Sequence, residues 1–133
     1  MEIKSLNPKN MAAPRGYSHA ISVSGNYKTI YIGGQNAINE NGNIVGKGNL
    51  KEQTTQILTN IEKILKEAGA QLENVVKFNI HLLQGQNPRE GFEAFQQKWS
   101  HCQILPAITV VFVVGLGNPE WLVEIDAVAV APT

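Results

Sequence analysis

Ala107-Ile108-Thr109-Val110-Val111-Phe112-Val113-Val114 and, after a turn holding Gly and Pro, Leu122-Val123-Glu124-Ile125-Asp126-Ala127-Val128 fill the C-terminal third of the chain. Two strand-forming runs separated by turn residues predict a terminal hairpin. The first run does not alternate, since residues 110–114 are apolar on both sides of the strand. One side is expected to face helices. The other would be a bare apolar sheet surface, larger than soluble monomers expose, unless another subunit lies against it. A closed homo-oligomer is predicted.

Working upstream, Phe92, Phe95 and Trp99 fall at three-and-four spacing after Pro88 and before Pro106, which predicts a short helix. Val76, Phe78, Ile80 and Leu82 alternate with Lys77, Asn79 and His81, the period of a strand covered on one face. A longer helix is predicted over about 50–69, where Ile57, Leu58, Ile61, Ile64, Leu65 and Ala68 line one side. Asn49 with Glu52 makes a capping box there, and Gly69 sits where a left-handed C-cap belongs. Before it, Ala20 to Ser24 and Thr29 to Gly33 flank Gly25-Asn26, and Asn41-Gly42 offers a second tight turn, so a hairpin meander is expected. The order predicts an α+β fold of two layers, a mainly antiparallel sheet with two helices on one face.

The 133 residues carry no linker-like stretch and no internal repeat, and they are read as one domain, 1–133. The lone Cys102 has no partner for an internal disulfide, and Met1-Glu2-Ile3-Lys4-Ser5 has no apolar core of a signal peptide, so the cytoplasm is the expected compartment. The longest apolar stretch, Ile104 to Leu116, contains Pro106 and falls short of the roughly 20 residues of a membrane helix. Eleven basic residues balance eleven acidic ones, which weighs against nucleic acid, because phosphate binding needs concentrated Lys and Arg. A small molecule is the expected ligand.

Gly16-Tyr17-Ser18-His19-Ala20-Ile21, Gly33-Gly34-Gln35, Val76-Lys77, Leu105-Pro106-Ala107 and Val123-Glu124-Ile125 occur in an order and spacing that resembles the Rid (reactive intermediate deaminase, YjgF-like) family along essentially the whole chain. The resemblance implies a chorismate-mutase-like fold and a homotrimer with three clefts between neighbouring subunits. It also implies hydrolysis of reactive enamines and imines such as 2-aminoacrylate, without a cofactor. Members carry the older label of endoribonuclease and translation inhibitor, which the neutral charge balance does not favour.

The family's cleft holds the substrate carboxylate with an arginine directly after Pro-Ala, a planar fork suited to that group. This chain has Ile108 there, and Val110 where the common pattern has a cysteine. Both changes make that wall better suited to an apolar group than to an anion. Glu124 matches the family glutamate that positions the attacking water; read without the resemblance, it is a solvent-facing strand residue or an ion-pair partner. Tyr17 matches a cleft tyrosine facing the ligand across the subunit boundary, and is otherwise ordinary packing with a wet tip. Gly33 and Gly34 either let a ligand approach the strand backbone or form a bulge. Thr109 offers a hydroxyl, although alternation turns it to the face opposite Ile108. Arg15, two residues before Tyr17, is a candidate substitute for the missing guanidinium; Arg89 has no better claim. His19, His81 and His101 share no metal-ligand spacing, and no metal site is proposed.

Three functions are therefore weighed, an endoribonuclease being the least favoured because of the neutral charge balance. One is a hydrolase for imines more apolar or less acidic than those of pyruvate type, carried by Glu124 and Tyr17. Another is a non-catalytic trimer whose clefts bind a metabolite or serve regulation, which Ile108 and Val110 favour.

Overall fold

Helix α1 spans Leu50–Glu67 and buries Leu50, Gln53, Thr54, Ile57, Leu58, Ile61 and Leu65, the stripe that its spacing anticipates. The Asn49 side chain accepts from the Glu52 amide at 2.9 Å. The capping box closes in that direction only, because the Asn49 amide is bonded to the Gly46 carbonyl. Gly69 takes φ +73° past the last turn, and the Ala70 amide reaches back to the Leu65 carbonyl at 2.8 Å. Helix α2 spans Pro88–Trp99, with Asn87 accepting from the Arg89 amide. Phe95 and Trp99 are buried edge-on against Phe78, each 5.2 Å from it between ring centroids, whereas Phe92 of the same stripe stays exposed. Lys98 to Glu62, at 2.6 Å, ties the two helices together.

The structure, a computed structural model, describes residues 1–99 and 104–133; His101 and Cys102 lie outside the described residues. The strands are β1 (Glu2–Leu6), β2 (Ala20–Ser24), β3 (Lys28–Gln35), β4 (Val75–Leu83), β5 (Ala107–Val113) and β6 (Val123–Ala131). They form a two-stranded sheet, β1-β2, and a four-stranded sheet in the order β3-β6-β4-β5. The second is mainly antiparallel, with β4 and β5 the parallel pair.

The Asn41-Gly42 turn forms, closing the isolated antiparallel bridge Ile38↔Ile44, but the β2–β3 and C-terminal hairpins do not. Gly25 turns the chain with φ +96°, but β2 pairs with β1 while β3 pairs with β6. At the C-terminal end, α2 lies between β4 and β5 in sequence, and such a crossover sets the two strands parallel side by side. Strand β6 then inserts between β3 and β4, where Val123, Ile125, Ala127, Ala129 and Ala131 are buried. Small alanines on its core side let α1 pack closely over it. The smaller sheet joins the larger through the isolated parallel bridge Ser18↔Ala107.

One face of the four-stranded sheet carries Phe78, Ile80 and Leu82 of β4 beside Ile108, Val110 and Phe112 of β5; Phe78 and Leu82 are buried in the core, Ile80 and Ile108 are packed against it, and Val110 and Phe112 are not covered. A bulge between Val75 and Lys77 sends Val75, rather than Val76, into the core. The expectation of a bare apolar opposite face is corrected. Its centre carries Lys77, Asn79 and His81 of β4 with Glu124 and Asp126 of β6, and Asn79 donates to Asp126 at 2.8 Å. Apolar exposure is concentrated instead on β5. That strand is the edge of the sheet, and Val110, Val111 and Phe112 are all exposed, Phe112 by 54%. Among the described residues no helix is long and apolar enough to cross a membrane.

Candidate functional site

The segment Arg15–Ser18 is fastened to the start of β5. Ser18 is buried, its amide donates to the Pro106 carbonyl at 3.0 Å, and its hydroxyl donates to the Leu105 carbonyl. The motif Gly-Tyr-Ser and the motif Leu-Pro-Ala, distant in sequence, are thus two sides of one seam. His19 holds the other end, with its amide on the Asn7 side chain and its ring nitrogen Nε2 2.7 Å from the Ala12 carbonyl. The Tyr17 ring stands edge-on to His19. Gly16, at φ +80°, has the Phe92 ring against it so closely that any Cβ there would collide.

Between this segment, α2 and the helix-side face of the sheet lies a cavity of about 470 Å³. Its floor is Ile80, Leu82, Ile108, Val110, Val123 and Ile125; Leu50, Phe92 and Phe95 form its walls, and Arg15, Tyr17 and Arg89 border it. The Thr54 hydroxyl also lines it but is bonded to the Leu50 carbonyl at 2.8 Å. Such a cavity favours hydrocarbon over any polar group.

Glu124 belongs to a different constellation. Strand β6 starts where the buried Gln53 fixes it: the Leu122 amide donates to Gln53 Oε1 at 2.9 Å, while Gln53 Nε2 donates to the carbonyls of Gly46 and Glu120. Two residues on, Glu124 is directly opposite His81 across the β4–β6 ladder. That position gives it the face away from the helices, because its neighbours Val123 and Ile125 fill the core. Its half-buried carboxylate lies against Gly34, in the irregularity of β3 between Ile32 and Gln35. The neighbouring Gly33 has open space where a side chain would stand. His81 Nδ1 is buried and has no hydrogen-bond partner among the described residues.

Arg15, Tyr17, Ile108 and Val110 therefore come together on one face, and Gly34 with Glu124 on the other. Thr109 points away from Ile108, as alternation implies, and accepts from the Lys77 ammonium at 2.6 Å. Within one copy the sheet separates the acid from the cavity. The first half can hold an apolar group under two guanidinium-bearing side chains; the second can orient a water and accept its proton. Among the described residues no three His, Cys, Asp or Glu side chains cluster as a metal site would require. Sequence reading missed Gln53, a polar residue on an apolar helical stripe, and Phe92, the member of the aromatic stripe that walls the cavity instead of filling the core.

The model of the family described as endoribonuclease L-PSP matches residues 8–131. A RutC family protein of Synechocystis is 36% identical over 135 residues, covering 100% of both chains. A crystal structure of a Rid-family protein of unknown function from Yersinia pestis superposes with a TM-score of 0.84 at 32% identity, covering 97% of this chain and 98% of its own. A 2-iminobutanoate/2-iminopropanoate deaminase of Bos taurus is 40% identical over 74 residues, which is 56% of this chain and 52% of its own.

Proposed function

Since the chain belongs to the endoribonuclease L-PSP family, with the Rid and RutC proteins among its relatives, we propose that it hydrolyses small imines and enamines at sites completed between copies of itself. The observation that carries this reading is the division of the candidate residues over two faces of one sheet. Tyr17 and Ile108 stand by the β5 edge, while Glu124 and Gly34 stand by β3, at the other end of the order β3-β6-β4-β5. A head-to-tail ring joins unlike surfaces and closes when the rotation permits. In a ring of three, the exposed apolar edge of β5 is covered and the cavity mouth of one copy meets the glutamate of the next.

In the reaction, an enamine first tautomerises to its imine. With the imine protonated on nitrogen, Glu124 orients a water and takes one of its protons as the oxygen bonds to the imine carbon and the C=N π electrons return to nitrogen. The neutral tetrahedral carbinolamine receives that proton back on nitrogen; the C–N bond then breaks as the hydroxyl proton passes to Glu124, ammonia leaves, a neutral carbonyl remains and Glu124 returns the proton to solvent. Tyr17 closes the ligand from the other side. The deaminase named among the relatives is consistent with this chemistry. Ile108 in place of an arginine supports a second reading, a trimer that binds a metabolite without turning it over.

Ammonia release from freshly generated imines tests the proposal, with Glu124→Ala and Tyr17→Ala each expected to abolish it. Co-refolding the two inactive variants in equal amounts should restore about one quarter of the sites, because one interface in each mixed ring pairs two intact halves. No release from any imine of a broad panel supports the second reading; no restoration on mixing rejects the shared site.

A further inference from the structure

We infer that the cavity under α2 receives the hydrocarbon side chain of a 2-imino acid whose carboxylate is held at the mouth by Arg15 and Arg89; this rests on the imine-hydrolase reading and names its substrate class. Three observations converge on it. The interior offers no free polar side chain, since the Thr54 hydroxyl is spent on the Leu50 carbonyl. At about 470 Å³ the space lies well within the roughly 300–1,000 Å³ of small-molecule sites, and a phenyl or branched aliphatic group fills such a space where a methyl group leaves it largely empty. At the border, Arg15 and Arg89 come from different elements, the segment before Tyr17 and the first turn of α2, and both line the cavity. Neither guanidinium has an ion-pair or side-chain hydrogen-bond partner among the described residues, in contrast to Lys51, Lys98 and Lys77.

The covalent structure of a 2-imino acid matches this layout. Its second carbon bears the carboxylate, the imine nitrogen and the side chain. With the side chain inside and the acid on the two guanidinium groups, that carbon sits at the threshold, where a neighbouring copy's glutamate would deliver water. The apolar Ile108 then has a positive role. A guanidinium at that position would project over the floor of the cavity and exclude hydrocarbon; Ile108 extends the floor, and the task of holding the acid moves to the border.

Binding of stable 2-oxo acids to the 133-residue chain, followed by titration calorimetry, tests the inference. Phenylpyruvate and 4-methyl-2-oxopentanoate should bind at least about tenfold more tightly than pyruvate, because they bury the side chain that pyruvate lacks. Arg15→Gln with Arg89→Gln should weaken phenylpyruvate by about tenfold or more, while leaving the uncharged phenylacetone within about twofold. Val110→Trp, which fills part of the cavity floor, should weaken phenylpyruvate and spare pyruvate. Equal affinity for pyruvate and phenylpyruvate overturns the inference, as does a double arginine variant that binds phenylpyruvate like the parent. The outcome separates from that of the hydrolase reading. Discriminating binding without turnover of any imine rejects hydrolysis alone, whereas turnover of short imines without this discrimination rejects the present inference alone.

Discussion

A Cβ atom on Gly34 would stand 2.7 Å from Oε2 of Glu124. Glycine at that point is what allows the carboxylate to lie on the bulged strand, and the relationship fixes where a water bound to Glu124 would be held. Gly34→Ala is expected to displace the carboxylate by about an ångström and lower kcat for imine hydrolysis by roughly 100-fold. The collision is with the flexible end of a side chain, so thermal stability should change little. A normal kcat in a folded Gly34→Ala protein would remove Glu124 from the reaction.

Ile108→Arg places a guanidinium on the floor of the cavity. Affinity for pyruvate, whose carboxylate lacks a local partner, should rise about tenfold or more, while phenylpyruvate should bind more weakly than to the parent. Calorimetry with both acids reads the exchange. An unchanged order of affinities would show that position 108 does not face the ligand.

The β5 edge presents Val111 and Phe112 to solvent in an isolated copy. If the ring of three proposed above is the assembly, Val111→Lys with Phe112→Lys should leave the circular dichroism spectrum intact, shift the sedimentation coefficient from that of a trimer to that of a monomer, and abolish hydrolysis. Charged residues on an edge strand oppose pairing or packing there without disturbing the ladder behind it. A trimer retained by this double variant would show that assembly uses another surface.

Gln53→Leu removes the partner of the Leu122 amide and of two carbonyls in the interior. The orphaned groups should destabilise the protein by about 2–3 kcal/mol, measured as a lower urea midpoint at unchanged slope. Because Leu122 is two residues from Glu124, kcat should also fall while the KM for a small imine stays nearly constant. A loss of stability with unaltered kcat would confine Gln53 to holding the fold.

The helices were legible because their signals are local. Asn49, Gly69 and the stripe from Ile57 to Leu65 lie within a few turns of one another, and each performs in the structure the role that its spacing implies. Strand pairing was not legible from neighbours in sequence. Gly25-Asn26 and the turn after Val114 both have the composition of hairpin turns, yet both lead a strand into contact with a partner far away in the chain. What decides is long-range: α2 forces β5 parallel to β4, and the small core-facing residues of β6 suit the crowded middle of the sheet. The candidate site divides in the same way. Glu124, Tyr17 and Ile108 were identifiable one by one from the short motifs that surround them. Their separation onto opposite faces follows only from the ladder register that aligns Glu124 with His81 and Ile108 with Phe78. The cavity has no motif of its own, since hydrocarbon that lines a space and hydrocarbon that fills one read alike.

Strand β6 is the last to be synthesised, and it lies between β3 and β4. On the ribosome, the earlier strands therefore wait with unsatisfied ladder groups and an uncovered α1 stripe until residues 123–131 emerge. Pairings of such high sequence separation slow folding and prolong the exposure of sticky intermediates. Nascent chains of this protein should depend on holding chaperones until residues 123–131 have emerged, and a premature stop anywhere before Val123 should yield aggregates in place of a smaller folded product.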